Sequence, residues 1–229
     1  MESIGSRLQA VKGRIASACE RAGRPADSVT LLAVSKTFGP EAVQAAFAAG
    51  QRAFGENYVQ EALAKMGALA GLRPQLEWHF IGPLQSNKTR PVAEAFDWVH
   101  SVDRLKIAER LAAQRPSLLP PLNLCLQVNV SGEASKSGVE PAELPSLAHA
   151  VAALPPSRVR LRGLMSIPEP GDEAAQHRAH ATLARLAAVL RAEGLPLDTL
   201  SMGMSADLEA AVAEGSTMLR VGTAIFGAR

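Results

Sequence analysis

Residues 31–50 read Leu31-Leu32-Ala33-Val34-Ser35-Lys36-Thr37-Phe38-Gly39-Pro40-Glu41-Ala42-Val43-Gln44-Ala45-Ala46-Phe47-Ala48-Ala49-Gly50. The continuous apolar run 31–35 is a strand buried on both faces. Pro40 suits the first turn of a helix, Glu41 to Ala49 is helix, and Gly50 closes it. This strand–helix unit recurs along the chain. Further runs lie around Ala53-Phe54-Gly55, Glu77 to Ile81, Trp98 to Val102, Leu124 to Val130, Leu161 to Ile167, Thr199 to Met202, and Met218 to Phe226. Helical patterns follow most of them. They run through Val59, Leu63 and Met66, through Leu105, Ile107 and Leu111 behind an Asp103 cap, and over Pro141 to Ala153, Asp172 to Ala192 and Ala206 to Ala213. Eight units in 229 residues come to about 29 residues each, close to the roughly 30 of a βα repeat. The pattern predicts an α/β fold, a (β/α)₈ TIM barrel forming a single domain over 1–229, rather than an open doubly wound sheet. Ile4, Leu8, Val11 and Ile15 add an amphipathic N-terminal helix.

Composition narrows function. The 47% hydrophobic content argues against a mainly disordered chain. Lys+Arg of 24 against Asp+Glu of 22, with no dense basic tract, gives no reason to invoke nucleic acid or a membrane surface. Aromatics at 4% make base-stacking platforms unexpected. Two cysteines, Cys19 and Cys125, suggest neither a disulfide framework nor a metal site. No run approaches the roughly 18 apolar residues of a membrane span. Charged residues interrupt the N-terminus, so no export signal is read and the cytoplasm is the expected address.

A barrel works at the C-terminal ends of its strands. Lys36 stands at the end of the first one, where burial and neighbours can free a lysine amine to attack a carbonyl. The plainer reading is a lysine snorkelling to the rim. Ser201-Met202-Gly203-Met204-Ser205 and Gly222-Thr223-Ala224 follow strands seven and eight, where barrels commonly bind phosphate. Ser205 is read as a cap for the next helix. Arg220, inside an apolar strand, must pair with a carboxylate or a ligand heteroatom. Gly82 to Thr89 falls short of a phosphate-binding P-loop, because Asn87 replaces a glycine and Pro83 lacks a donor. Gly203 to Asp207 lacks the closing glycine of a nucleophile elbow. His79 is placed to line a pocket; His177 and His180 read as surface.

A Schiff-base lysine, a phosphate cup and an arginine converge on pyridoxal 5′-phosphate (PLP), with the arginine at the pyridine nitrogen. A permanent cation there disfavours ring protonation and weakens the electron sink.

Several segments carry a resemblance to a known family. They include Leu32 to Thr37, Phe54 to Glu61, Trp78 to Lys88, Ser135 to Gly138, Arg162 to Met165, Leu200 to Asp207 and Arg220 to Gly227. Together they resemble the YggS/PROSC family of pyridoxal phosphate homeostasis proteins, related to the N-terminal domain of alanine racemase. The resemblance implies a cofactor carried by Lys36 as an internal aldimine. It implies phosphate contacts from Ser201, Gly222 and Thr223, Arg220 at the ring nitrogen, and Asn57 lining the pocket. It implies no catalytic residue and no metal, and PLP-dependent apoenzymes as recipients of a monomeric carrier. Phe38-Gly39 departs from a more polar, lysine-containing stretch expected there. Lys88 and Lys136 read as solvated surface. The alternatives are an amino-acid racemase and, without cofactor, a Schiff-base aldolase acting on a sugar phosphate. Racemisation needs a second acid/base, and Tyr58 and Cys125 are poorly placed for it. The length also leaves no room for the second domain that completes a racemase site.

Overall fold

The computed structural model describes residues 2–131 and 137–227. Ser135 and Lys136 lie outside them. Helix α1 spans Ile4–Arg21 and precedes the repeats. Units follow in the order β1 (Thr30–Val34) and α2 (Pro40–Ala48), β2 (Ala53–Glu56) and α3 (Val59–Ala68), β3 (Glu77–Phe80) and α4 (Thr89–Ala95), β4 (Trp98–Val102) and α5 (Leu105–Gln114). The second half runs β5 (Leu122–Gln127) and α6 (Leu144–Ala152), β6 (Val159–Met165) and α7 (Glu173–Ala192), β7 (Thr199–Ser201) and α8 (Leu208–Ala213), β8 (Met218–Val221) and α9 (Thr223–Phe226). All strand pairs are parallel, and β8 closes on β1 through Leu32↔Arg220 and Ala33↔Val221. The expected TIM barrel and N-terminal helix are present.

The apolar core is mostly a shell between barrel and helices, with Leu31, Phe54, Trp78, Phe80, Leu124 and Leu164 on its inner side. Inside the barrel the apolar groups are smaller: Leu32, Val34, Ala53, Ile81 and Met218 in one, Trp98, Cys125 and Met165 in another. Polar groups fill much of the remaining space, among them fully buried His79, His100 and Ser201 and nearly buried Arg220.

Local expectations fail in instructive places. The run Met218 to Phe226 is not one strand: it stops at Val221, and Gly222 opens the short α9. Apolarity continues through Ile225 and Phe226 because α9 packs its own residues into the core. Asp103 does not cap α5; its carboxylate pairs with Arg104 at 2.8 Å. Residues 141–143 form turns before α6, which begins only at Leu144. Asp172, in contrast, caps α7 by accepting from the Ala175 N–H.

Helix α1 braces the seam where β8 meets β1. Leu8, Val11, Ile15, Ala18 and Cys19 are buried at helical spacing on one face. From the same helix, Arg7 Nε donates to the Ile225 carbonyl at 2.6 Å, answering the free C-terminal carbonyls of α9. Arg14 donates to the Ser205 carbonyl at 3.2 Å and pairs with Glu209. We expect Leu8→Ala to cost about 2–5 kcal/mol in denaturant unfolding, the range for emptying a fully buried leucine site.

Candidate functional site

Closure of β8 on β1 brings the segments after both strands together. The result is a cavity of about 310 Å³ at the C-terminal mouth, lined by Val34, Lys36, Asn57, Ile81, Ile167, Met204, Ser205, Ala206, Arg220, Gly222 and Thr223. Hollows of similar size lie elsewhere on the surface. This one is distinguished by its lining, which gathers five of the six residues singled out from sequence.

Lys36 reaches the cavity from a tightly held turn. Thr37 has φ of 66°, the left-handed region that costs a non-glycine residue of order 1–3 kcal/mol. Its N–H donates to Glu61 Oε1 at 2.5 Å, and its hydroxyl to the Lys36 carbonyl at 2.6 Å. Glu61 is itself held by buried Lys65, which also donates to the Ser35 carbonyl at 2.8 Å and pairs with Glu56 at 2.5 Å. Burial raises the Glu56 carboxyl, partly offset by Lys65 and Ser35. Lys65 therefore serves the turn, while Lys36 Nζ has no hydrogen-bond or ion-pair partner among the described residues. Phe38, which departs from the family's more polar stretch, packs against Phe226 with ring centroids 5.2 Å apart and planes tilted by 30°. It thereby ties the Lys36 turn to α9.

Asn57 follows β2, and its buried Oδ1 has no hydrogen-bond partner among the described residues. A Cβ on Gly82 would collide with the Asn57 backbone carbonyl, so only glycine lets the two loops approach. Gly222 likewise sits with its would-be Cβ 3.1 Å from the Val34 carbonyl. That brings the start of α9, with Thr223, against the end of β1.

Arg220 is the buried charged group of the cavity. Its NH1 donates to the Ser201 carbonyl at 2.6 Å and to Ser201 Oγ at 2.8 Å; its NH2 donates to the Ser166 carbonyl at 2.8 Å. No carboxylate pairs with it directly, and Nε is left without a partner among the described residues. Burial pulls the guanidinium down to about 10, against the weak pull of Asp207 and Cys125, so it stays protonated at neutral pH. A buried cation short of one acceptor suits an electronegative ligand atom.

Ser201 stands apart from the other five. It is fully buried behind Arg220 and does not line the cavity, whereas Ser205 does. Strand β7 ends at Ser201, whose side chain turns into the barrel. Ser205 does not cap α8 either, since Asp207 occupies that position. Asp207 instead accepts from the Met204 N–H at 2.6 Å and bonds His180 at 2.9 Å. Burial alone would raise its carboxyl; these bonds outweigh that and hold it low. His180 is thus buried, not on the surface, and braces the loop. His79 is also fully buried and does not reach the cavity. Lys88 lines an adjoining groove with Asn57 and Tyr58.

The fold and site define a parallel (β/α)₈ barrel with a lysine after the first strand and a buried arginine in the last. The chain belongs to the family described as alanine racemase, N-terminal domain, whose model matches residues 6–229. It is 62% identical over 229 residues to a pyridoxal phosphate homeostasis protein of Pseudomonas aeruginosa, covering all of this chain and 97% of that one. The protein of the same name from Escherichia coli K12 is 55% identical over 231 residues, covering all of this chain and 98% of its own. Among solved structures, PipY of Synechococcus elongatus with PLP bound aligns with a TM-score of 0.84 and 44% identity, over 98% of this chain and all of that one. Alanine racemase of Corynebacterium glutamicum shares the fold at 18% identity and a TM-score of 0.67, and only 60% of that chain is covered.

His100 makes the fold sensitive to acid. Burial, then His79 and Arg220, hold its pKa well below 6.5. The unfolded chain takes this proton near pH 6.5 and the folded chain refuses it. His100 therefore contributes stability that is complete above that pH and lost as pH falls below it. We expect the thermal midpoint to drop from pH 7 to pH 5, and the slope to flatten in His100→Gln.

Proposed function

We propose that this chain binds pyridoxal 5′-phosphate, holds it on Lys36, and takes part in intracellular PLP homeostasis without catalysing a reaction of its own. The carrying observation is that an unpartnered lysine amine and a buried guanidinium lacking a carboxylate share one small cavity. Pyridoxal phosphate homeostasis proteins at 62% and 55% identity, and PipY with PLP bound, support the same reading.

The residues fit the cofactor by their chemistry. The cofactor's aldehyde supplies an electrophile: Lys36 Nζ forms a bond to that carbon, the oxygen leaves as water, and added water reverses the step. Arg220, fixed by Ser201 and Ser166, offers Nε–H to the ring nitrogen and keeps that nitrogen an acceptor. Gly222, Thr223 and Ser205 supply small side chains, backbone N–H groups and hydroxyls for a phosphate. Ser201 acts in this reading behind Arg220 rather than on the phosphate. Asn57 brings an acceptor, Oδ1, that needs a donor. Ile81, Ile167 and Met204 give an apolar wall for the ring.

The non-catalytic part of the proposal rests on what faces the cavity. Tyr58, the chain's one tyrosine, lines the neighbouring groove. Cys125 is buried in the barrel, and burial pushes its thiol up to about 12. Neither offers a racemase its second base. A reversible linkage with a weakened electron sink suits storage and delivery, with PLP-dependent apoenzymes as recipients and the cytoplasm as the place.

Titration with PLP should produce a visible absorbance band that borohydride fixes to the peptide carrying Lys36, and Lys36→Ala should abolish both. A protein that stays colourless would overturn cofactor binding. In deuterated water with L-alanine, the loaded protein should show no turnover-dependent α-carbon exchange; rapid exchange with D-alanine appearing would make it a racemase.

A further inference from the structure

Four buried or half-buried groups continue from Arg220 away from the cavity. Ser201 Oγ lies 2.8 Å from Arg220 NH1 and 2.8 Å from His100 Nδ1. His100 Nε2 lies 2.9 Å from His79 Nδ1, and His79 Nε2 lies 2.7 Å from Glu77 Oε1. Ser201 is on β7 and His100 on β4, strands that are not neighbours in the barrel. Their bond must therefore cross the interior. Arg220 is near the C-terminal end of β8, while Glu77 opens β3 at the opposite, N-terminal face. There its half-exposed carboxylate lines a separate hollow with Arg73, Asp97 and Arg115.

The ends of this chain set its direction. A guanidinium only donates and a carboxylate only accepts. With one proton on each imidazole, a single arrangement satisfies every link. Arg220 donates to Ser201, Ser201 to His100 Nδ1, His100 Nε2–H to His79 Nδ1, and His79 Nε2–H to Glu77. Reversing one link would set two donors or two acceptors against each other. Every bond dipole then points the same way, and aligned bonds reinforce one another in a low-dielectric interior.

We infer that Ser201, His100, His79 and Glu77 form a one-way hydrogen-bond relay through the barrel that positions Arg220 for its ligand. The relay fixes NH1 and so leaves Nε to face the cavity. It also couples the buried cation to a carboxylate on the far side, where no direct ion pair is available. Trp98 holds His79 in plane, stacked at 5.4 Å and 10°. The depressed Glu77 carboxyl, held down chiefly by the His79 bond, agrees with a charged acceptor at the end. Ser201, His100, His79 and Glu77 are positioning residues in this scheme, since none of them lines the cavity.

The role of the relay in ligand binding rests on the cavity taking PLP; the relay itself does not. The test therefore has two readouts. Long-range ¹H–¹⁵N NMR of the PLP-free protein reports each imidazole's tautomer. We expect Nε2–H on both His79 and His100. In Glu77→Gln, a mild change at a half-exposed position, the amide can donate or accept, so an Nδ1–H form of His79 should appear. PLP affinity, read by absorbance titration, should weaken roughly three- to tenfold in Glu77→Gln and in Ser201→Ala, the span of one lost hydrogen bond. The melting curve of Glu77→Gln should stay near wild type, which a purely structural carboxylate would not allow. An Nδ1–H tautomer on either ring of the native protein would overturn the relay, as would unchanged tautomers and unchanged affinity in Glu77→Gln. A protein whose tautomers behave as expected but which takes up no PLP would keep the relay and discard the cofactor.

Discussion

A positive charge inside the barrel governs this structure. Water would solvate a guanidinium with many oxygens; Arg220 receives three, from Ser201 and Ser166. None of them is charged. An interior cation without a direct counter-ion is unfavourable unless the fold distributes its field. The barrel does this with polar residues in positions that other barrels fill with branched aliphatics. His79, His100 and Ser201 take that space, and the apolar core moves outward into the shell beneath the helices.

The second constraint is that the lysine must be free while everything around it is held. The structure separates these tasks between two lysines on the same side of the barrel. Lys65 is consumed by Glu56, Glu61 and the Ser35 carbonyl, and so anchors the turn. Lys36, one residue beyond Ser35, keeps its amine. Outside the barrel, α1 adds a brace of another kind. Arg7 holds α9 and Arg14 holds the Ser205 loop, so both loops with small residues are fastened to one helix.

The repeat and most of the site were legible because both follow one rule, that chemistry gathers at strand ends. Lys36, Asn57, Arg220, Gly222 and Thr223 lie at such ends and meet in one cavity. The rule is silent about facing. Strand β7 is three residues long, and a shift of one residue decides whether Ser201 meets ligand or the barrel interior. Sequence alone therefore does not say which of Ser201 and Ser205 lines the cavity. The interior histidines were hidden for a different reason. His100 and Ser201 stand 101 residues apart and meet across the barrel, and no local spacing announces such a pair. His180 fits a helix face that reads as surface until Asp207 arrives from another unit. The end of β8 is not marked in the sequence, because α9 is as apolar as a strand.

The closing seam has a consequence for biosynthesis. Strand β1 emerges early and must wait for β8, almost the whole chain later, before its edge is paired. Lys36 comes from the first partner and Arg220, Gly222 and Thr223 from the second. A nascent chain therefore carries Lys36 before the residues that share its cavity have been made. With contacts this distant along the chain, closure of the barrel is expected to be a slow step. The cavity then reports on completion: a molecule that has assembled it has also paired its last strand and seated its final helix.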